Sequence, residues 1–69
     1  MSDGAGSERE YWEVFAREDA DLPLRHVGAV EATSRDDASV FARTLYDEFR
    51  WIEMFVAPRR TIVSVVKPV

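Results

Sequence analysis

The side chains of this sequence that could do chemistry are few and scattered. His26 is the only histidine. It could serve as a general base or a pH-sensitive contact, or simply be bonded to a strand neighbour. Asp19 and Asp21 share a polar turn, but two carboxylates fall short of the roughly six to eight oxygens that calcium takes. With no cysteine, no Glu-x-x-His pair and no glycine-rich phosphate loop, the residues predict no catalytic residue, no metal ligand and no cofactor.

A second candidate is the pair Arg59 and Arg60, which follows Pro58. Two adjacent guanidinium groups could hold an anion, such as a coenzyme A phosphate, by bidentate contacts. The alternative is that they form the solvated tip of a hairpin. The pattern favours the solvated tip.

The elements that position these residues begin with two strands. Residues 10–17 alternate, with Trp12, Val14 and Ala16 on one face, and predict a strand. Residues 24–32 predict a second strand, antiparallel because the connection is short. Gly28 within it suggests a bulge or a close backbone approach.

Residues 34–50 have the period of an amphipathic helix. The apolar stripe expected to face the sheet consists of Ala38, Phe41, Ala42, Leu45 and Phe49. Ser34, with Asp37 three residues later, predicts the N-cap.

Residues 51–56 and 61–66 predict a third and a fourth strand, joined by a turn at 57–60. The predicted fold is therefore α+β, with the order β-β-α-β-β. It has a single, mostly antiparallel four-stranded sheet and one helix packed on one face. We expect a disordered tail over residues 1–9 and one domain over residues 10–69.

One helix covers only one face of such a sheet. The alternation leaves four aromatic side chains on the open face, where grouped exposed aromatics are typical of an interface. This predicted interaction surface consists of Tyr11, Phe15, Trp51 and Phe55.

Composition limits the class of protein. The net charge of −4 argues against a nucleic-acid partner, because nucleic-acid binders need a basic surface. No apolar run reaches the roughly 20 residues of a membrane span, and no signal peptide is evident, so we expect a cytoplasmic protein without membrane contact. A chain of 69 residues buries a small core, which favours a homodimer.

Several short motifs, in this order and spacing, resemble the phenylacetic acid degradation B-type family (PaaB). They lie between residues 11 and 58, and Met54-Phe55-Val56-Ala57-Pro58 resembles the family's third strand. The other motif residues are Trp12, Glu13, Val14, Phe15, His26, Val27, Gly28, Ala42, Arg43 and Tyr46.

The resemblance implies an accessory subunit of a ring-1,2-phenylacetyl-CoA epoxidase in phenylacetate degradation. In that family's system a di-iron oxygenase subunit binds the coenzyme A thioester, and a reductase supplies electrons from NADPH. The B-type subunit holds no cofactor and bridges the catalytic and structural subunits. We therefore expect a non-catalytic subunit whose partners are the di-iron oxygenase subunit and the structural subunit.

Two other classes stay open. A small dimeric ferredoxin-like monooxygenase would have a deep apolar pocket beside His26. A small-molecule-binding module would gain thermal stability when its ligand is added.

Overall fold

The computed structural model describes residues 8–67, which contain a three-stranded antiparallel sheet with one helix against it. The strands are β1 (Glu10–Arg17), β2 (Arg25–Ala32) and β3 (Glu53–Pro58), and helix α1 (Arg35–Leu45) joins β2 to β3. The order across the sheet is β2-β1-β3. The central strand is therefore β1, and within residues 8–67 nothing pairs with the outer edge of β2 or of β3.

The first two strands follow the sequence prediction closely. β1 has the predicted bounds, and β2 begins one residue later than predicted. The two strands are antiparallel, and their register shifts where Val14 pairs with Gly28 but Phe15 pairs with His26. The bulge predicted at Gly28 is therefore confirmed.

The core lies between the sheet and α1 and is built largely from small side chains. Trp12 is its one large aromatic residue, and its indole Nε1 donates to the carbonyl oxygen of Ala32 at 3.3 Å. The helix approaches the sheet closely because the residues it buries are alanines. The buried apolar residues are Trp12, Val14, Ala16, Val30, Ala32, Ala38 and Ala42.

Helix α1 begins as predicted and ends sooner. The Oγ of Ser34 accepts from the backbone N–H of Asp37 at 3.2 Å, which confirms the N-cap. The helix was expected to continue to residue 50, but it ends at Leu45, and Tyr46 is its C-cap. The indole of Trp51 donates to the carbonyl oxygen of Tyr46, so a folded-back side chain satisfies one of the carbonyls at the helix end.

The early end of α1 also changes which residues it buries. Of the predicted stripe only Ala38 and Ala42 are buried, whereas Phe41, Leu45 and Phe49 are 42%, 61% and 48% exposed. The expectation that the whole stripe packs on the sheet is wrong, because the helix contacts the sheet through its two alanines.

The predicted four-stranded sheet is also wrong. β3 lies two residues later than predicted, and a 3-10 turn (Arg59–Thr61) follows it instead of a hairpin. In this turn Ile62 N–H donates to the carbonyl oxygen of Arg59 at 3.0 Å. Residues 62–67 then form no strand, because β propensity alone does not make one and the 3-10 turn replaces the hairpin that would have paired them with β3.

Two other expectations concern the ends of the chain and the membrane. Apart from residues 8 and 9, the tail predicted over residues 1–9 lies outside the described residues. Within the described part, no helix is long and apolar enough to cross a membrane.

Candidate functional site

The face of the sheet that α1 leaves uncovered carries the candidate site, and we call it the open face. Its central row is formed by alternate residues of β1, namely Tyr11, Glu13, Phe15 and Arg17. The bulge in β2 brings His26 to the same face, because one extra residue changes the alternation of the strand. Without the bulge, His26 would point towards the helix.

Glu13 is the most buried residue of the open face and is only 8% exposed. Its Oε1 accepts from the Nε2 of His26 at 2.6 Å, and its Oε2 accepts from the Nε of Arg59. The hydrogen bond from Arg59 lowers the pKa of Glu13; burial acts in the opposite direction, and the bond from His26 lowers it further. Glu13 is therefore a buried carboxylate that connects β2 to the 3-10 turn.

Aromatic rings contact the two partners of this carboxylate. The guanidinium of Arg59 lies over the ring of Tyr11, 4.5 Å from its centroid, and the Phe15 and His26 ring centroids are 5.3 Å apart. Phe55 lies on β3 directly opposite Phe15. The structure thus brings Tyr11, Phe15 and Phe55 to one face, with Tyr11 and Phe55 about half exposed.

Trp51 is not brought to the open face. It precedes β3, and its ring meets Phe49 at a centroid distance of 5.4 Å. The guanidinium of Arg25 lies 5.4 Å from the Trp51 centroid, and the indole is bonded to Tyr46. Trp51 therefore stands at the C-terminal end of the helix, away from the other three aromatics.

The charged residues around the aromatics are paired within the chain. Arg17 Nε lies 2.6 Å from Glu53 Oε1, and Arg60 Nε lies 3.0 Å from Glu10 Oε1. Both arginines of the Arg59-Arg60 pair thus have carboxylate partners. Because its charges are compensated, the open face can bury its aromatic rings against a protein without leaving isolated ions.

The motif residues fall into two groups. Trp12, Val14 and Ala42 lie in the core, and Val27 and Tyr46 pack against it. Glu13, Phe15 and His26 lie on the open face, whereas Arg43 is exposed in the last turn of α1. Gly28 is explained by a close approach, because a Cβ added there would overlap the hydroxyl group of Tyr46.

Sequence reasoning missed the role of Glu13 as the centre of this site. Arg59 lies 46 residues further along the chain, so no local spacing indicated the pair. The one signal was a carboxylate within a row of aromatic residues on a strand. Among residues 8–67, no group of three or more histidine, cysteine, aspartate or glutamate side chains could hold a metal ion.

Comparison with known proteins gives one family and one solved structure. The family model for phenylacetic acid degradation B (PaaB) matches residues 8–68. The crystal structure of a phenylacetate-CoA oxygenase subunit PaaB from Ralstonia eutropha JMP134 is similar, with a TM-score of 0.74 and 28% identity. The match covers 88% of this chain and 100% of that one. No curated protein matches the chain significantly.

Proposed function

The chain belongs to the phenylacetic acid degradation B (PaaB) family, and on that basis we propose that it is an accessory subunit of a phenylacetyl-CoA epoxidase-like oxygenase. The similar solved chain is described as a phenylacetate-CoA oxygenase subunit, which supports this role. The subunit would act in phenylacetate degradation, in the cytoplasm, as one domain over residues 10–69.

We further propose that the subunit is non-catalytic and bridges its partners. These would be the di-iron oxygenase subunit and the structural subunit of the complex, and the bridging subunit would itself be a homodimer. The observation that carries the proposal is the open face. Three aromatic rings there surround ion pairs that are closed within the chain, as expected of a surface that is buried when subunits meet.

The geometry gives less support to a small enzyme built around His26. An open cavity of about 730 Å³ lies between the end of α1 and the start of β3, and His26 does not line it. The Nε2 of His26 is instead engaged by Glu13. The arrangement is that of a histidine fixed in a polar cluster.

Phe55→Asp tests the proposal. The substitution places a charge on the open face beside Phe15, and we expect affinity for the oxygenase subunits to fall at least about tenfold, as for an aromatic contact that is buried at an interface. Phe41→Asp is the matched control, because Phe41 is similarly exposed, 42% against 48% for Phe55, but lies on α1. The measurement is co-purification of each tagged variant with co-expressed catalytic and structural subunits of a phenylacetyl-CoA epoxidase-like oxygenase.

The two variants separate the outcomes. Retention of both partners by Phe41→Asp and their loss from Phe55→Asp would support the open face as the contact. Equal retention by both variants would show that the partners bind elsewhere. A wild-type chain that retains neither subunit would overturn the proposed function itself.

A further inference from the structure

Residues 62–67, here called the arm, follow the 3-10 turn and pair with no strand of the described chain; Ile62 is extended, and the arm bends at Val65 and Val66. Four of the six residues are Ile or Val, and the arm forms no strand. Val63, Val65 and Val66 are 79%, 90% and 87% exposed. A β-branched run is suited to a sheet, and this degree of apolar exposure is uncommon unless another surface covers it.

The turn before the arm keeps it from folding back onto its own sheet. Arg59 is bonded to Glu13, and Arg60 is paired with Glu10, both on β1. The hydroxyl group of Thr61 donates to the carbonyl oxygen of Pro58 at 2.7 Å and closes the turn tightly. These contacts hold the turn against the central strand β1. A hairpin with β3 would instead require the chain to reverse its direction at Pro58.

A groove with both apolar and charged lining lies between α1 and β3. α1 packs more closely on β2 than on β3, so a gap remains between the helix and the third strand. The cavity of about 730 Å³ has an apolar part formed by Val40, Ile52 and Met54, and a smaller cavity of about 240 Å³ includes Val56. The rest of the larger cavity carries the charged residues Arg43, Asp47, Arg50 and Glu53. A strand added to β3 would close this groove from the side.

The arm and the edge match in length and in pattern. At about 3.3 Å per residue, residues 62–66 would span roughly 17 Å once fully extended, and the six residues of β3 span roughly 20 Å. Val63 and Val65 would lie on one face of the added strand, and Ile62 and Val66 on the other. Addition of an extended segment to an unpaired sheet edge is a known mode of recognition.

We propose that the arm of one copy pairs with the free edge of β3 in a second copy of this chain. Reciprocal exchange gives a two-fold dimer in which each sheet gains its fourth strand from its partner. A second copy is favoured over an unrelated partner because the described part of one chain carries both the unpaired arm and the unpaired edge of β3. The proposal gives the homodimer of the proposed function a specific contact, separate from the open face.

The first test is self-association of the purified chain. We expect the wild type to be a dimer by sedimentation equilibrium, and Val63→Asp/Val65→Asp to dissociate at least about 30-fold more readily, because two charges would replace apolar side chains on one face of the added strand. Val63→Thr/Val65→Thr is the control, since threonine keeps the β-branched shape and should keep most of the dimer. Far-UV circular dichroism confirms folding, because neither residue belongs to the core.

The second test locates the contact by disulfide trapping, which has no background because the chain lacks cysteine. Copies with Val65→Cys are mixed with copies carrying Met54→Cys or Phe55→Cys on β3, or Ala29→Cys on β2 as control. We expect a mixed disulfide with at least one β3 position and none with β2, since the bond needs Cα atoms within about 7 Å.

Three results would overturn the proposal. They are a monomeric wild type at all concentrations, dimerisation unaffected by the two aspartates, and trapping at β2 in place of β3. A chain carrying both Val65→Cys and Phe55→Cys that closes an intramolecular bond as a monomer would also overturn it, because the arm would then pair within its own chain. Retention of the oxygenase subunits is scored separately, so failure of the arm contact does not decide the proposed function.

Discussion

Glu13 lies on the face that α1 leaves uncovered, yet it is only 8% exposed. Burial of a carboxylate is costly unless charged donors satisfy it, and here Arg59 and His26 provide them. Tyr11 lies against the same guanidinium. At the residue scale, this cluster holds side chains of the open face in place through hydrogen bonds and ring contacts that involve no core residue.

Glu13→Gln tests the cluster through its pH dependence. Arg59 lowers the pKa of Glu13 below its ordinary value of 4.5, so the carboxylate stabilises the folded state fully above that value. The stabilisation is lost as the pH falls through the lower pKa of the folded state. We expect Glu13→Gln to lower the unfolding free energy by about 1–3 kcal/mol at pH 7. We also expect the unfolding free energy of the variant to fall less than that of the wild type when the solution is acidified.

Urea denaturation between pH 7 and pH 3 measures both effects. Glu31→Gln is the control, because Glu31 is a more exposed residue of β2 whose ion pair with Arg9 spans 3.6 Å. Loss of this exposed ion pair should change the unfolding free energy by less than about 1 kcal/mol. Equal pH profiles for wild type and Glu13→Gln would show that the cluster does not stabilise the fold.

At the scale of elements, the fit of α1 to β2 depends on a single glycine. Tyr46 caps the helix and places its hydroxyl group over Gly28, which lies in the bulge. Two motifs that are 18 residues apart in sequence therefore meet at one contact. The same bulge turns His26 to the open face, so the structural and the polar parts of the motif depend on one backbone feature.

Gly28→Ala should destabilise the fold by about 1–3 kcal/mol, because the new methyl group overlaps the Tyr46 side chain. The same change in a Tyr46→Ala background should cost clearly less, since the obstacle is gone. Thermal or urea unfolding of the four proteins of this cycle measures the coupling. If the cost were the same in both backgrounds, it would come from the backbone of the bulge.

The elements differ in how far sequence could predict them. β1 was predicted to the residue because its alternation is local, and the N-cap at Ser34 was predicted from one side chain. The end of α1 was not predicted correctly, since it depends on a hydrogen bond from Trp51 to Tyr46 across a turn. The fourth strand failed because pairing depends on where the turn at Arg59 sends the chain.

The residues of the candidate site divide in the same way, into those that a local pattern predicts and those that only the tertiary fold brings together. Tyr11, Phe15 and Phe55 could be assigned to one face from a period of two residues. Trp51 could not be placed, because it lies just before the strand that was expected to carry it. The Glu13–Arg59 pair could not be predicted, because only the tertiary fold brings these two residues together.

On the scale of the whole molecule, the described chain is extended for its size. Its radius of gyration is 13.8 Å, whereas a compact chain of this length would have about 11 Å. The core is correspondingly small, with four of its seven buried apolar residues alanine. Such a fold should gain much of its stability from association.

The melting temperature should therefore rise with protein concentration, by several degrees between about 1 and 100 μM for a dimer that dissociates as it unfolds. Differential scanning fluorimetry over this range measures the rise. Val63→Asp/Val65→Asp should show a lower melting temperature with little dependence on concentration. A wild-type melting temperature that is constant over the range would contradict coupling between folding and association.

The arm also has a consequence for the chain during synthesis. Thr61-Ile-Val-Ser-Val-Val66 is a six-residue run with high β propensity, no charge, no proline and no glycine, which is the composition of segments that form amyloid-like stacks. Arg59 and Arg60 precede it, and Lys67 and Pro68 follow, so charges and a proline bound the run on both sides. Residues of this kind oppose stacking of identical chains, and they would protect each newly made copy until its arm is paired.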